Sequence, residues 1–377
     1  MTSADLKARA QRRKYMVQAA IVVATLVVIW TTISSARTNL SALGITSGYG
    51  FLERATGWSY SFSLIDRSID DTYARTLFIG LLNTLMVGTV SIILSTIFGF
   101  LIGTARDMRN LAVASTAGVF VQVFRNIPLI LQVVFWYAFL IHMPGPRQSM
   151  SLGDAVFMSN RGLMLPVLNV SVGLALLIIV ALVLFGVFLI WRGVSPMRGL
   201  AVWLAGSVTV LALAAMTLVP DGMSAISYPE LKGLRFVGGV TISIEFVAMV
   251  VAIVLYGSAY IAEVVRGGLK EVPKGLIEAG QALGLGPVSI WTRIKMPMAL
   301  RTVIPPLGNQ WIFIMKATTI GVAIGFSDLF YIVSTSITQS GQTLELIAIL
   351  MGAFLLINFS IAQFVNWLNA RMKLKAH

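Results

Sequence analysis

The chain has 377 residues, 57% of them apolar and only 11% charged, and its mean hydropathy is +0.86. Charged residues make up about a quarter of an ordinary globular domain, so a soluble fold is excluded. The net charge of +13 comes from basic residues scattered over loops and termini, which reads as membrane topology and not as nucleic-acid binding.

A membrane-spanning helix needs roughly 20 apolar residues. Charge-free runs at 15–36, 76–105, 162–191, 199–220 and 346–370 reach that length. Runs at 126–141 and 246–262 are extended by their neighbours, and 303–335 is long enough although it carries Lys316 and Asp328. The expectation is an all-α integral membrane protein with about eight transmembrane helices. None of the runs alternates apolar with polar, which excludes an outer-membrane barrel.

Lys7, Arg9, Arg12, Arg13 and Lys14 precede the first span and place that end in the cytoplasm. Ser34-Ser35-Ala36 faintly resembles a signal cleavage site. A signal core has about 7–15 apolar residues, and this run is longer, so an uncleaved anchor is expected. Eight spans then put both termini in the cytoplasm. On that topology cytoplasmic segments hold 18 Lys and Arg and external segments 8, which agrees with the orientation.

Residues 1–75 comprise a tail, the anchor and an external loop; 76–377 form the main transmembrane unit. The loop at 37–75 is studded with Tyr49, Phe51, Trp58, Tyr60 and Phe62. Such aromatics either rest at the membrane interface or form a docking surface. Gly80, Gly88, Gly99 and Gly103 in the next span let helices approach closely. Arg125-Asn126-Ile127-Pro128 interrupts the apolar stretch 110–142, so a bend is expected near 125–128. Residues 163–220 read as an accessory hairpin of two spans around the basic turn Arg192–Arg198. Residues 221–236 form a second external loop. Glu245, after Thr241 and Ser243, suits a helix N-terminus.

A polar interruption follows at 263–301. Pro273 fits a helix start. Lys274 to Leu283 suit a helix of about 10 residues, roughly 15 Å long, with Leu276, Ala279 and Leu283 on one face. Small Ala279, Gly280 and Ala282 permit close approach of another surface. Gly284-Leu285-Gly286-Pro287 is a stop signal. A second short helix is expected from Pro287, ended by Met296-Pro297. Beyond it, Lys316 with Thr318 and Thr319 forms a polar patch within a span; Arg125 is the other charge at a span. These four are candidate pathway residues, since charges within spans mark function. For Arg125 and Lys316 the competing reading is snorkelling to the headgroups. Asp328 and Glu345 flank the last external turn and read as solvated loop charge, the competing reading being contact with an external binding protein.

Glu278-Ala279-Gly280, three residues, Gly284, nine residues, Ile294, one residue and Met296-Pro297 resembles the EAA loop of ABC importer permeases. In that consensus the third small residue is Ala, where Gly280 stands here, and Leu stands where Met296 is. Phe124 to Leu129 is similar to the Arg-x-x-Pro segment of polar-amino-acid permeases. Ile261 to Gly268, Ile304-Pro305-Pro306-Leu307 and Lys316 to Ile320 match their flanks. The accessory hairpin and the Ser227-Tyr228-Pro229-Glu230-Leu231 loop resemble the general L-amino-acid uptake branch, the Aap/Bzt type. The likeness runs from about residue 76 to the end.

The resemblance implies a type I importer permease fold with a cytoplasmic coupling helix, in a bacterial inner membrane. It implies a second homologous permease subunit, two cytoplasmic ATP-binding subunits and a periplasmic amino-acid-binding protein around this chain. It assigns ATPase coupling to Glu278, Ala279, Gly280, Gly284, Ile294 and Pro297. The chain has no Gly-x-x-x-x-Gly-Lys-Ser/Thr loop, so ATP and Mg are expected on the separate ATPase and no cofactor here. Zero cysteines and two histidines leave almost no material for a metal site or a catalytic triad, and no enzyme activity is expected. A gradient-driven secondary transporter of small polar solutes is the alternative; it needs buried acids for ion coupling.

Overall fold

The structure is a computed structural model. It describes residues 3–42, 48–153, 155–192, 194, 196–217, 219, 224–233 and 235–372. Helix α1 (Ser3–Ala42) is followed by α2 (Tyr73–Ala105), α3 (Leu111–Asn126) and α4 (Leu129–Ile141). Short strands β1 (Met150–Leu152), β2 (Val156–Ser159), β3 (Gly162–Leu165) and β4 (Val167–Leu168) lead into α5 (Val172–Trp191) and α6 (Pro196–Thr217). Strands β5 (Ile226–Ser227), β6 (Glu230–Lys232), β7 (Arg235–Val237) and β8 (Val240–Ile242) lead into α7 (Ile244–Lys270). Helices α8 (Lys274–Ala282), α9 (Pro287–Ile290), α10 (Met296–Ala317), α11 (Leu329–Ser340) and α12 (Thr343–Met372) complete the chain.

Among the described residues, five helices are long and apolar enough to cross a membrane, and two bent pairs raise the number of crossings to seven. The eighth expected crossing corresponds to α5, whose apolar stretch Gly173–Leu189 is shorter. Residues 162–168 do not extend that helix. Pro166 lacks an amide N–H, and the segment forms β3 and β4 instead. β3 pairs with β2 and β8 in a four-stranded antiparallel sheet, and β4 pairs with β5. The extramembrane layer between α4 and α7 is therefore built from strands.

The bend at Pro128 turns α3 through 101° into α4. Ile127 is extended, as a residue before proline prefers. Pro128 cannot donate to the Phe124 carbonyl. The Gln132 side-chain amide donates to it instead, and to the Ile127 carbonyl, at 3.0 Å each.

The centre of the bundle is α2 packed on α7 and α10. A Cβ built at Gly99 would lie 2.5 Å from Ile261, at Gly103 2.7 Å from the Ala262 carbonyl oxygen, and at Gly88 2.4 Å from Met315. At Gly88 the near atoms are the mobile end of Met315, but at Gly99 and Gly103 they include Cβ and backbone atoms that cannot move aside, so these two glycines set the distance of α2 from α7. The hairpin α5–α6 interlocks by the same device: Trp203 lies over Gly186 and donates to the Leu182 carbonyl at 2.8 Å.

The aromatic loop before α2 does not lie free on a membrane surface. Phe51, Tyr60 and Tyr73 are buried with Leu77, Ile79, Leu329 and Ile332. Asn83 of α2 clamps this loop: its amide donates to the Phe62 and Ser327 carbonyls at 3.1 and 2.8 Å and accepts from Leu64 N–H at 3.1 Å. Asp328 is fully buried and caps α11, accepting from Tyr331 N–H at 2.8 Å. It is thus a structural group and not a solvated turn charge. Glu345 accepts from Gly48 N–H at 2.7 Å, which ties α12 to the same loop. Ser243 caps α7 and Glu245 lies in its first turn, as expected.

Candidate functional site

The polar interruption folds into a helix, a turn and a strut. Helix α7 runs through Glu263 and ends at Lys270; Val272 is buried and Pro273 precedes α8. Helix α8 closes with Leu285 N–H donating to the Gly280 carbonyl at 3.0 Å and Gly284 N–H to the Gln281 carbonyl at 2.9 Å. These two bonds make a Schellman cap, which needs a left-handed residue between them. Gly284 supplies it with φ of 74°.

The strut departs from expectation. Met296-Pro297 does not end a short helix; the chain stays helical from Pro287 into α10. Proline inside a helix removes one bond and crowds the carbonyl four residues back. The backbone widens to meet this. Trp291–Lys295 form a π turn in which Met296 N–H reaches the Trp291 carbonyl, five residues back. Pro297 follows directly, so the widened π turn, and not a free helix start, accommodates its missing N–H.

Gly280 is buried against this strut. A Cβ there would lie 2.8 Å from Ile294 and 3.4 Å from Ile290. One side of α8 is thus fixed to the π turn. The other is open: Glu278 and Ala279 are exposed, and Leu283 and Val288 are 81% and 76% exposed at a polar end of the bundle.

Ion pairs tie this unit to the helices beneath. Lys295 pairs with Asp107, and Arg106 and Arg266 both bind Glu263. Arg125 stands 3.6 Å from the Glu263 carboxylate and places its guanidinium 4.9 Å from the Tyr260 ring centre. Tyr260 lines a cleft of about 490 Å³ between α7 and α10, with Tyr256, Asn309, Gln310, Phe313 and Lys316. Tyr256 stacks on Phe313 at 5.7 Å and contacts Tyr260 at 4.7 Å. The walls combine aromatic faces, two amides and one ammonium, a set suited to a small polar solute bearing an anionic group.

A family model described as "Binding-protein-dependent transport system inner membrane component" matches residues 95–374. The chain belongs to this family. The permease is 37% identical to the general L-amino acid transport system permease protein AapQ of Rhizobium johnstonii, over 92% of this chain and 88% of that one. It is 36% identical to the putative amino-acid ABC transporter permease protein YhdX of Escherichia coli K12, over 96% and 94% of the two chains. It is 30% identical to the glutamate/glutamine/aspartate/asparagine transport system permease protein BztB of Rhodobacter capsulatus, over 92% and 90%. Among solved structures, an amino acid ABC transporter with histidines is similar over 79% of this chain and 95% of that one, at 17% identity and a TM-score of 0.49.

Membership makes the permease a multi-pass inner-membrane transport subunit and not an enzyme. It implies a separate ATPase and a partner permease in the complex.

The permease brings together Gly280 and Ile294, two residues that the motif places far apart in sequence. Arg125 stacks on Tyr260, which lines the cleft together with Lys316. Thr318 is not in the cleft: it is fully buried and its hydroxyl donates to the Met315 carbonyl at 3.0 Å. Thr319 likewise bonds its own helix, at the Lys316 carbonyl, 2.8 Å. A buried threonine four residues or fewer from a free helix carbonyl satisfies itself. Sequence reasoning missed Arg106, Asp107 and Lys295 as a group, and Tyr256, Tyr260, Asn309 and Gln310 as cleft residues. The signal was present for the charges, since opposite signs sit on two loops assigned to one membrane side. The tyrosines, spaced by four, share one face of a helix.

Proposed function

We propose that this chain is the permease subunit of an ATP-driven amino-acid importer. With a second permease it forms the translocation pathway, and it couples to two cytoplasmic ATPase subunits, which hold ATP and Mg. The relatives named as amino-acid permeases along nearly their whole lengths support the substrate class. A periplasmic amino-acid-binding protein delivers the substrate to the external face. Both termini and α8 lie on the cytoplasmic side, in keeping with the distribution of basic residues.

The observation that carries the coupling role is the two-sided character of α8. Gly280 fixes one side to the strut by Ile294, while Glu278, Ala279 and Leu283 face outward. A helix held on one side and open on the other, where it offers a carboxylate beside apolar groups, transmits displacement when its open side is gripped. Leu283 and Val288, both largely exposed beside α8, add apolar surface that a partner could cover. Pro297 starts the strut that returns the displacement to α10. Lys316 and Arg125 hold the substrate carboxylate at the cleft, and Thr318 and Thr319 shape the helix end beneath Lys316.

The test is uptake of labelled L-amino acids into proteoliposomes carrying the complete complex and its binding protein. Uptake is expected to require ATP inside or outside according to ATPase orientation and to survive collapse of the proton gradient. Uptake without ATP that collapses with the gradient would overturn the reading in favour of a secondary transporter.

A further inference from the structure

Four charges beneath α8 take no part in its exposed surface, yet they join it to the cleft without a gap. Gly280 of α8 rests on Ile294. The next residue, Lys295, pairs with Asp107, just past the end of α2. Arg106 adjoins Asp107 in the chain and binds Glu263 of α7. Glu263 also takes the Arg266 side chain at 3.1 Å, and its remaining, looser neighbour is Arg125 at 3.6 Å. Arg125 lies over Tyr260, a wall of the cleft that holds Lys316.

Two properties make this more than a set of surface pairs. Side chains of Arg106, Asp107, Glu263, Arg266 and Lys295 are only 17–29% exposed, so removing one partner strands a partly desolvated charge. Arg125 differs from them at 38% exposure, with its longer contact to Glu263 and a ring as second partner. A guanidinium shared between a carboxylate and an aromatic face can loosen one contact while it keeps the other. Coupling needs an element that both sites bias, and Arg125, touching Glu263 and Tyr260 at once, is placed to be one.

We infer that Asp107, Lys295, Arg106 and Glu263 are positioning residues that carry the displacement of α8 to Arg125 at the edge of the cleft. Pulling α8 moves the π turn, Lys295 draws the end of α2 through Asp107, and Arg106 shifts Glu263. Arg125 then trades part of its hold on Glu263 for the cleft. The inference rests on the importer reading and deepens it.

The test is a charge exchange in the complete reconstituted transporter. Asp107→Lys, Lys295→Asp and the double exchange are compared for amino acids imported per ATP hydrolysed, with co-purification of the ATPase as the assembly check. Each single change should lower the ratio about five-fold, within the range of coupling changes along such networks. The double exchange should restore it to within about two-fold of the parent. Singles that keep the parent ratio, or a double no better than the worse single, overturn the inference. Glu263→Gln, nearly isosteric, guards against misassembly of the reversals. It should assemble and lose about five-fold in the same ratio; an unchanged ratio, or loss of assembly, overturns the inference too. A parent complex that imports no amino acid with ATP would instead defeat the importer reading itself.

Discussion

Replacing Gly284 by Ala isolates one backbone angle as the determinant of α8. Gly284 has φ of 74°, and no heavy atom lies within 4 Å of the position a Cβ would take. A new methyl group therefore meets nothing, and the whole cost is conformational. An L-residue with a Cβ loses roughly 1–2 kcal/mol in the left-handed region. Asn tolerates that region better, and a β-branched residue worst. If α8 must be capped to dock, about 1–2 kcal/mol is a factor of roughly 5–30 in the docked population. The assay is titration of the ATPase onto purified permease in nanodiscs, with uptake per ATP alongside. The expected order of affinity is Gly, then Asn, then Ala, then Val. Gly286→Ala is the control: its φ is −68° and its surroundings are equally open, so no change is expected. Equal affinity for Gly and Ala, or Asn weaker than Ala, would refute the argument, because either result means the left-handed cap does not govern docking.

Gly280→Ala should be tolerated, since the nearest atom to the added Cβ is the mobile end of Ile294 at 2.8 Å. Gly280→Leu should overpack the strut by about 1–3 kcal/mol and reduce uptake at unchanged ATPase activity. Asn83→Leu removes an amide that satisfies three backbone groups, one buried and two half-buried. At about 1–3 kcal/mol per orphaned group, the purified permease should unfold at clearly lower temperature, while Asn83→Gln loses less. Gly103→Leu forces α2 off the Ala262 carbonyl, and a thermal-shift measurement should show the loss even where Gly118→Leu, at an open position, shows none. Lys316→Ala should raise the amino-acid concentration needed for half-maximal uptake about ten-fold, with Lys316→Arg intermediate; an unchanged value removes Lys316 from the pathway.

Local rules account for what was legible. Pro128 bends the chain where a helix loses its donor, and Gly284 caps α8 because only glycine enters the left-handed region freely. Pro297 shows the limit of the same rules. Proline signals a break, but a π turn absorbed it, because the packing of α10 against α7 and α2 rewards an unbroken helix. The strands at 162–168 were hidden by hydropathy alone, which does not distinguish a short apolar strand from the start of a span. Composition likewise does not reveal which way a hydroxyl turns: that of Thr318 goes to the Met315 carbonyl.

By itself, the sequence determined the class: long charge-free runs have no stable solvent except a bilayer, and the spacing from Glu278 to Pro297 carries the resemblance to the importer-permease loop. Those are one-dimensional properties, carried by composition and by spacing along a single helix. Only the tertiary structure decided which charges meet. Asp107 and Lys295 are 188 residues apart, Arg106 and Glu263 157, and nothing in either local stretch specifies its partner. The meeting of Arg106 with Glu263 follows from the close approach of α2 and α7 at Gly99 and Gly103, and that of Asp107 with Lys295 from the π turn that carries Lys295 back to the end of α2.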